Sequence, residues 1–422
     1  MERPVTIPAL RLDDLASPKF SPEVAEMFAG AAQFADMLPL EVEALKAAAI
    51  EQLGGSLTDF GPSEFVEPLS VLVRCLNSEA HLSGMGHVSV HTQLVGFLKN
   101  RLLLADLLSR HPEIKDIEIK RPIIIVGQPR TGTTHLHNLL AADPALRSLP
   151  YWESQQPIPL PHEVGLIPDP RIERCAAGLA FADQAMPHFN RMHEMTVEHV
   201  HEEIQLLANS LCTMYFDTIA PMPTWREWYK NHDHVPHYEY LKTTLQALTF
   251  LRGGERWILK SPQHLEQLRT LNTVFPDAVI LLTHRDPVPV TLSLITMMTY
   301  TARLHLKEID PSTVGGFWSG LNAEMLDAIL RDRQTVPDSR CLDVLFQDLM
   351  SDDLTMIQRI YALAEQPLDD RAKAAHARYK ETHERDRHGK VMYDFTEFGI
   401  DPAVLRQRFA PYIERFGVPQ EW

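Results

Sequence analysis

Cysteine is scarce in this chain. Cys75, Cys175, Cys212 and Cys341 are the four in 422 residues, and no two form a CxxC pair. That scatter excludes a disulfide framework and a zinc-ribbon pattern, and it points to a reduced compartment. Long apolar runs are missing too. Without a stretch of about 18 apolar residues, no membrane-spanning helix is expected. The opening Met1-Glu-Arg-Pro-Val-Thr-Ile-Pro has no signal-peptide run, so a cytoplasmic location is expected. Positive charge is in deficit, with 40 Lys and Arg against 56 Asp and Glu, a net charge of −16. Such a surface repels nucleic acid, so no nucleic-acid partner is expected. A polyanionic ligand would need a local basic site set against that field. Internal repeats and low-complexity tracts are absent as well.

What is present is ordinary globular composition, 45% hydrophobic and 23% charged, with ample material for a core. Residues 1–116 read as a helical region, with helix-like apolar spacing over 41–53, 67–78 and 91–109. The pattern changes at Ile117. Strands are expected over 117–127, 146–152, 256–260, 278–284 and 340–346. Helices are expected between or after them over 133–142, 198–216, 237–251, 264–274, 287–304, 314–333 and 402–415. Short buried strands alternating with helices predict an α/β fold with a central parallel sheet and helices on both faces. The second region, 117–422, carries a helical insertion at about 155–250. Its Pro- and His-rich first part, 155–197, is where an acceptor pocket would form.

The strongest motif is Gly127-Gln-Pro-Arg-Thr-Gly-Thr-Thr134, between an expected strand and an expected helix. Backbone N–H groups of such a turn, with the helix N-terminus, make an anion cradle. Here too something is lacking. The spacing is that of the nucleoside-triphosphate loop GxxxxGK[ST], but Thr133 stands in place of the lysine. Losing that charge disfavours a triphosphate kinase. Arg130 supplies a positive charge inside the loop instead.

Pro129-Arg-Thr-Gly-Thr-Thr134 resembles the 5′-phosphosulfate loop of the sulfotransferases, in particular the bacterial-type branch. The resemblance is good over about 121–300 and says little about residues 1–116. It implies a P-loop-type three-layer fold. It also implies a sulfuryl transfer from 3′-phosphoadenosine-5′-phosphosulfate (PAPS) to a small acceptor, a hydroxyl before an amine. 3′-Phosphoadenosine-5′-phosphate (PAP) would be the other product, and no metal is expected. By the resemblance, Arg130 contacts the sulfuryl bridge, and Thr131, Gly132, Thr133 and Thr134 wrap the 5′-phosphate. The Arg-x7-Ser spacing of Arg285 and Ser293 resembles the 3′-phosphate element of the family. Rival readings are a P-loop nucleotide kinase and a non-catalytic nucleotide-binding member of the fold.

Sulfuryl transfer needs cations at the leaving group and a base for the acceptor. Lys260, in Leu259-Lys-Ser-Pro, ends an expected strand, where ligands gather in open parallel sheets. It matches the family's assisting lysine. Two residues compete as base. Glu153 follows the second expected strand, and relatives use a glutamate from this region. His264 follows Lys260 by four residues, whereas cytosolic sulfotransferases place a histidine two after their lysine. His199 and Glu203 would share a helix face and could suggest a metal, but a polar helix edge is the better reading. Residues 387–390 loosely resemble a basic lid of the family, with a solvated charge run as the alternative. The Met and Phe residues at 186–222 and 295–318 read as core. A homo-oligomer is compatible with all of this.

Overall fold

In the computed structural model the described residues are 8–383 and 389–421. Two sheets form. A two-residue parallel pair joins β1 (Leu10–Arg11) to β7 (Val391–Met392). The main sheet holds β2 (Ile123–Gly127), β3 (Leu146–Arg147), β4 (Arg256–Lys260), β5 (Val279–His284) and β6 (Cys341–Leu345). Its order is β3-β4-β2-β5-β6, and every pairing is parallel.

The central strands β2 and β5 are buried along their whole length. In a strand, alternate residues point to opposite faces, and here both faces are apolar. Ile124, Val126, Ile280 and Leu282 join a cluster running from Leu12 to Val418. Ile123, Ile125, Val279 and Leu281 face the other way, onto Leu136, Leu139, Leu140, Ile357 and Ile360. Each such side chain contributes about 1.5–3 kcal/mol of burial, which fixes the three layers. The helices before residue 116 share the first cluster through Leu94, Leu98 and Leu102 of the 27-residue helix Gly84–Arg110.

Three elements depart from the sequence reading. β2 starts at Ile123, not 117, because Arg121 is left-handed (φ 43°) and Pro122 has no N–H to give a ladder. β3 is two residues long, since the chain turns at Pro150 into the short helix Tyr151–Gln155. The expected helix 198–216 is broken into Ile204–Leu207 and two 3₁₀ turns. Its first residues are bonded elsewhere: Tyr151 N–H donates to His199 O at 2.9 Å, and His201 N–H to Leu149 O at 2.7 Å. A helix there would forfeit both bonds, so the i,i+4 pairing of His199 with Glu203 does not exist.

Candidate active site

The loop after β2 is shaped by steric necessity. A Cβ on Gly127 would collide with the Thr283 hydroxyl, and Gly132 sits at φ +86°. Arg130 also adopts a left-handed backbone, φ 73°. Thr131 is fully buried. Its hydroxyl bonds Gln128 O and Thr283 Oγ1, each at 2.7 Å. Thr131 therefore braces the loop from behind. Its side chain does not wrap a phosphate, since it faces the sheet. Gly132 opens the helix Thr133–Ala141, whose free N–H groups face the cleft.

A cleft of about 550 Å³ lies over this turn. Arg130, Gly132, Thr133, Thr134, Arg285 and Ser293, the residues singled out by the resemblance apart from Thr131, all line it. Arg191 and Lys390 add positive charge at its wall. A basic site is thus built inside a chain of net charge −16. Arg285 emerges two residues past Thr283, with its guanidinium carbon over the Phe346 ring, 4.0 Å from the centroid. Its Nη1 donates to Arg130 O at 2.8 Å. Arg130 Nε in turn donates to Ser293 Oγ at 3.0 Å. Asp286 caps the next helix by accepting from Val288 N–H at 3.1 Å. The C-terminal segment reaches back over this edge. Both oxygens of Glu421 take Arg285, at 2.7 and 2.8 Å, while Glu421 N–H donates to Asp286. Of the expected lid, Gly389 and Lys390 border the cleft, and 387–388 lie outside the described residues.

A second cavity, about 390 Å³, opens on the other side of the loop. It shares Arg130, Thr133 and Thr134 with the first. Its remaining wall is largely apolar: Met186, Phe189, Met214, Met297, Met298 and Trp318 are among its residues. These Met and Phe side chains were expected to be core, and Met186, Met214 and Met297 are buried in the main cluster while also bordering this cavity. Tyr151, His193, His201, Glu202 and Asp183 are among its polar residues. Burial, with nearby positive charge, pushes His193 and His201 well below the usual imidazole range, and His199 to about 4. These rings are neutral at pH 7.

Lys260 ends β4 almost completely buried, and its Nζ donates to Glu202 Oε1. Glu202 lines the cavity, whereas Lys260 lines neither cavity and meets this one through Glu202. Neither expected base lines it. Tyr151 and Gln155, four apart, put one face of their short helix on the cavity. Glu153, half a turn from both, faces the opposite way. It is fully buried between Arg147 at 2.6 Å and Arg252 at 3.0 Å. The expected strand end would have aimed it at the cleft; a helix turn aims it away. His264 is also fully buried. Its Nε2 meets Glu203 Oε1 at 2.6 Å and its Nδ1 the Tyr238 hydroxyl at 2.8 Å. Glu203 Oε2 then accepts from Lys260 N–H at 2.8 Å. His264 thus holds the Glu203 that fixes the backbone beneath Lys260. A carboxylate that the sequence reading did not single out, Glu202, does line the cavity. Its only local signal was the adjacent acidic pair in His199-Val-His-Glu-Glu203.

Comparison with known proteins agrees with this geometry. The family described as Sulfotransferase family matches residues 122–370. Omega-hydroxy-beta-dihydromenaquinone-9 sulfotransferase Stf3 of Mycobacterium bovis is 26% identical over 252 residues. That match takes in 57% of this chain and 61% of the relative, so it spans under two thirds of the relative's length. Sulfotransferase STF9 from Mycobacterium avium superposes with a TM-score of 0.81 at 26% identity, covering 91% of this chain and 98% of that one. For sulfotransferase STF1 from Mycobacterium tuberculosis H37Rv the values are 0.77, 29%, 88% and 98%. With the loop, the Arg285 anchor and a matched segment of more than half its length, the chain belongs to the sulfotransferase family.

Proposed function

We propose that the protein transfers a sulfuryl group from PAPS to the hydroxyl of an apolar small molecule. One observation carries this reading: a basic cleft and an apolar cavity meet at Arg130, Thr133 and Thr134. A donor and an acceptor placed on the two sides would face each other across the loop. The 5′-phosphosulfate takes the backbone cradle, and the 3′-phosphate takes Arg285 and Ser293. The acceptor's apolar body fills the methionine-rich cavity, whose flexible side chains suit varied shapes. The curated relative is named for a quinone of this apolar kind.

The acceptor oxygen attacks sulfur while its proton passes to the Glu202 carboxylate. The bond from sulfur to the bridging oxygen breaks, and its electron pair leaves on the 5′-phosphate of PAP. Arg130 and Lys260 stabilise that charge. Neutral His193 and His201 add no competing cation. Thr133, in place of a loop lysine, leaves the cradle suited to one phosphate with one attached group rather than a triphosphate.

The test is a pair of measurements on the full chain. Calorimetry should show PAP binding at least ~100-fold tighter than ATP, the scale of a buried bidentate anion contact. Labelled PAPS offered with long-chain or polycyclic alcohols and with small polar phenols or amines should label the apolar alcohols first. Equal affinity for ATP and PAP would overturn the donor assignment. Faster labelling of the polar acceptors would overturn the acceptor class.

A further inference from the structure

A cluster of nitrogen and sulfur donors lies away from both cavities, and none of its residues lines either one. Cys212 follows the turn Ala208–Ser210, where Leu211 is left-handed (φ 59°) and swings the thiol inward. His232 and His234 lie in the connection between the helices Pro223–Asn231 and Val235–Arg252, and His237 is in the first turn of the second helix. Donor atoms of Cys212, His232 and His237 all fall within 4.8 Å of one another. The two imidazoles meet nitrogen to nitrogen, Nε2 to Nε2, at 3.1 Å.

His234 completes the set. Its Nε2 lies 2.9 Å from Tyr229 O. A carbonyl only accepts, so Nε2 carries the proton and Nδ1 keeps its lone pair. That Nδ1 faces Cys212 Sγ at 3.8 Å. Zinc bonds of about 2.0–2.1 Å to nitrogen and 2.3 Å to sulfur put two nitrogens about 3.3 Å apart, and a sulfur and a nitrogen about 3.6 Å apart. Both observed close pairs are near those separations. His234 is outside the set whose donors all lie within 4.8 Å of one another, so its ring shifts toward the other three when an ion is shared.

From this geometry we infer that Cys212, His232, His234 and His237 form a structural site for zinc or a similar borderline-soft divalent metal. Four protein donors in a closed tetrahedral set are the structural rather than the catalytic type. At 3.1 Å one of the two facing Nε2 atoms carries a proton, which passes to that ring's Nδ1 before both nitrogens bind. The Cys212 S–H gives its proton to solvent as sulfur binds the metal. His232, the half-buried member, borders the way in. The ion would tie the Ile204–Thr213 segment, next to Glu202 and Glu203, to the start of the helix that carries Tyr238. Tyr238 holds His264, which holds Glu203. In the sequence this set was hidden, because Cys212 stands far from the His232-x-His-x-x-His237 run.

The experiment needs no substrate. The full chain is stripped with a chelator and titrated with Zn²⁺ alone against a chromophoric competitor, while thermal unfolding is followed. A parallel titration uses Co²⁺ and records the near-ultraviolet spectrum. One equivalent should bind, raise the unfolding temperature and release about one proton; cobalt should show a thiolate-to-metal charge-transfer band. Cys212→Ser should remove that band. Should Cys212→Ser fail to fold, His232→Gln, at a partly exposed position, decides. It should weaken zinc binding by more than the roughly 10–100-fold that an outer-shell partner costs. A cobalt spectrum without the thiolate band, or equal zinc affinity in wild type and His232→Gln, would overturn the assignment.

Discussion

The two sides of the Gly127–Thr134 loop are built differently. On the nucleotide side, the anion cradle and its arginine come from two short stretches, 127–134 and 285–293, each set at the end of a strand, and segments around 191, 346–350 and 389–421 only complete the wall. On the acceptor side, the groups come from at least five separate stretches between Pro129 and Trp318. A backbone cradle is local, because consecutive N–H groups make it. A side-chain cavity is not local, because it depends on how distant segments lean on one another.

Substitutions can press on this contrast, and the largest effect is expected on the acceptor side. Glu202→Gln removes the proposed base and the partner of Lys260. Turnover should fall by about 10²–10⁴-fold with PAP affinity unchanged; a near-normal rate would return the base to an unknown residue. Glu153→Gln should act on stability instead. It breaks a buried ion pair with Arg147 and Arg252, at a cost of about 3–5 kcal/mol. Denaturant unfolding should show that loss while the folded fraction keeps its turnover. If turnover alone collapsed, the inward-facing geometry would be the wrong guide.

On the nucleotide side the effects are smaller and confined to binding. Arg285→Ala should weaken PAP by about 10–100-fold, as expected for a charge-assisted bidentate contact. It should leave adenosine-5′-phosphosulfate almost untouched; equal losses would remove the 3′-phosphate assignment. Acid should distinguish the two sides again. His193, His199, His201 and His305 have folded pKa values depressed by burial, His199 and His305 to about 4. The unfolded chain therefore binds more protons below the ordinary imidazole value of about 6.5. Stability is whole above that pH and falls as pH drops toward 4, by up to about 1.4 kcal/mol per unit for each ring. A flat profile between pH 6.5 and 4 would show that these rings are already solvated. The smallest effect belongs to Glu421→Gln. Freed from the carboxylate, Arg285 should bind PAP a few-fold more tightly, about 3–10-fold; weaker binding would mean that Glu421 orders the arginine rather than competing for it.

The same division governed what the sequence could disclose. Strand β5 and the loop were legible because their signals are contiguous: a β-branched run, glycine where no side chain fits, and an arginine just past a strand. Thr131 was legible in place but not in direction, since only the fold reveals the Thr283 hydroxyl behind it. Glu153 was misread for a geometric reason. Strand and helix aim the same residue to opposite sides, and Pro150 ends the strand too early for the expected aim. Glu202 was hidden because the segment around it spends its hydrogen bonds on Leu149 and Tyr151, about 50 residues earlier in the chain. The apolar spacing of 204–216 is helical in period, and tertiary bonding overrode it.

The parallel ladder that pairs Gly127 with Thr283 has one further effect. Arg285 lies two residues beyond that rung, so the distance of its backbone from the glycine turn is set by ladder hydrogen bonds, and its guanidinium is then held by Arg130 O and Phe346. Loop and arginine cannot drift apart without shearing the middle of the sheet. Under the proposed function, this fixed spacing would gauge the nucleotide as a caliper does, refusing by span a molecule whose two phosphates are spaced otherwise.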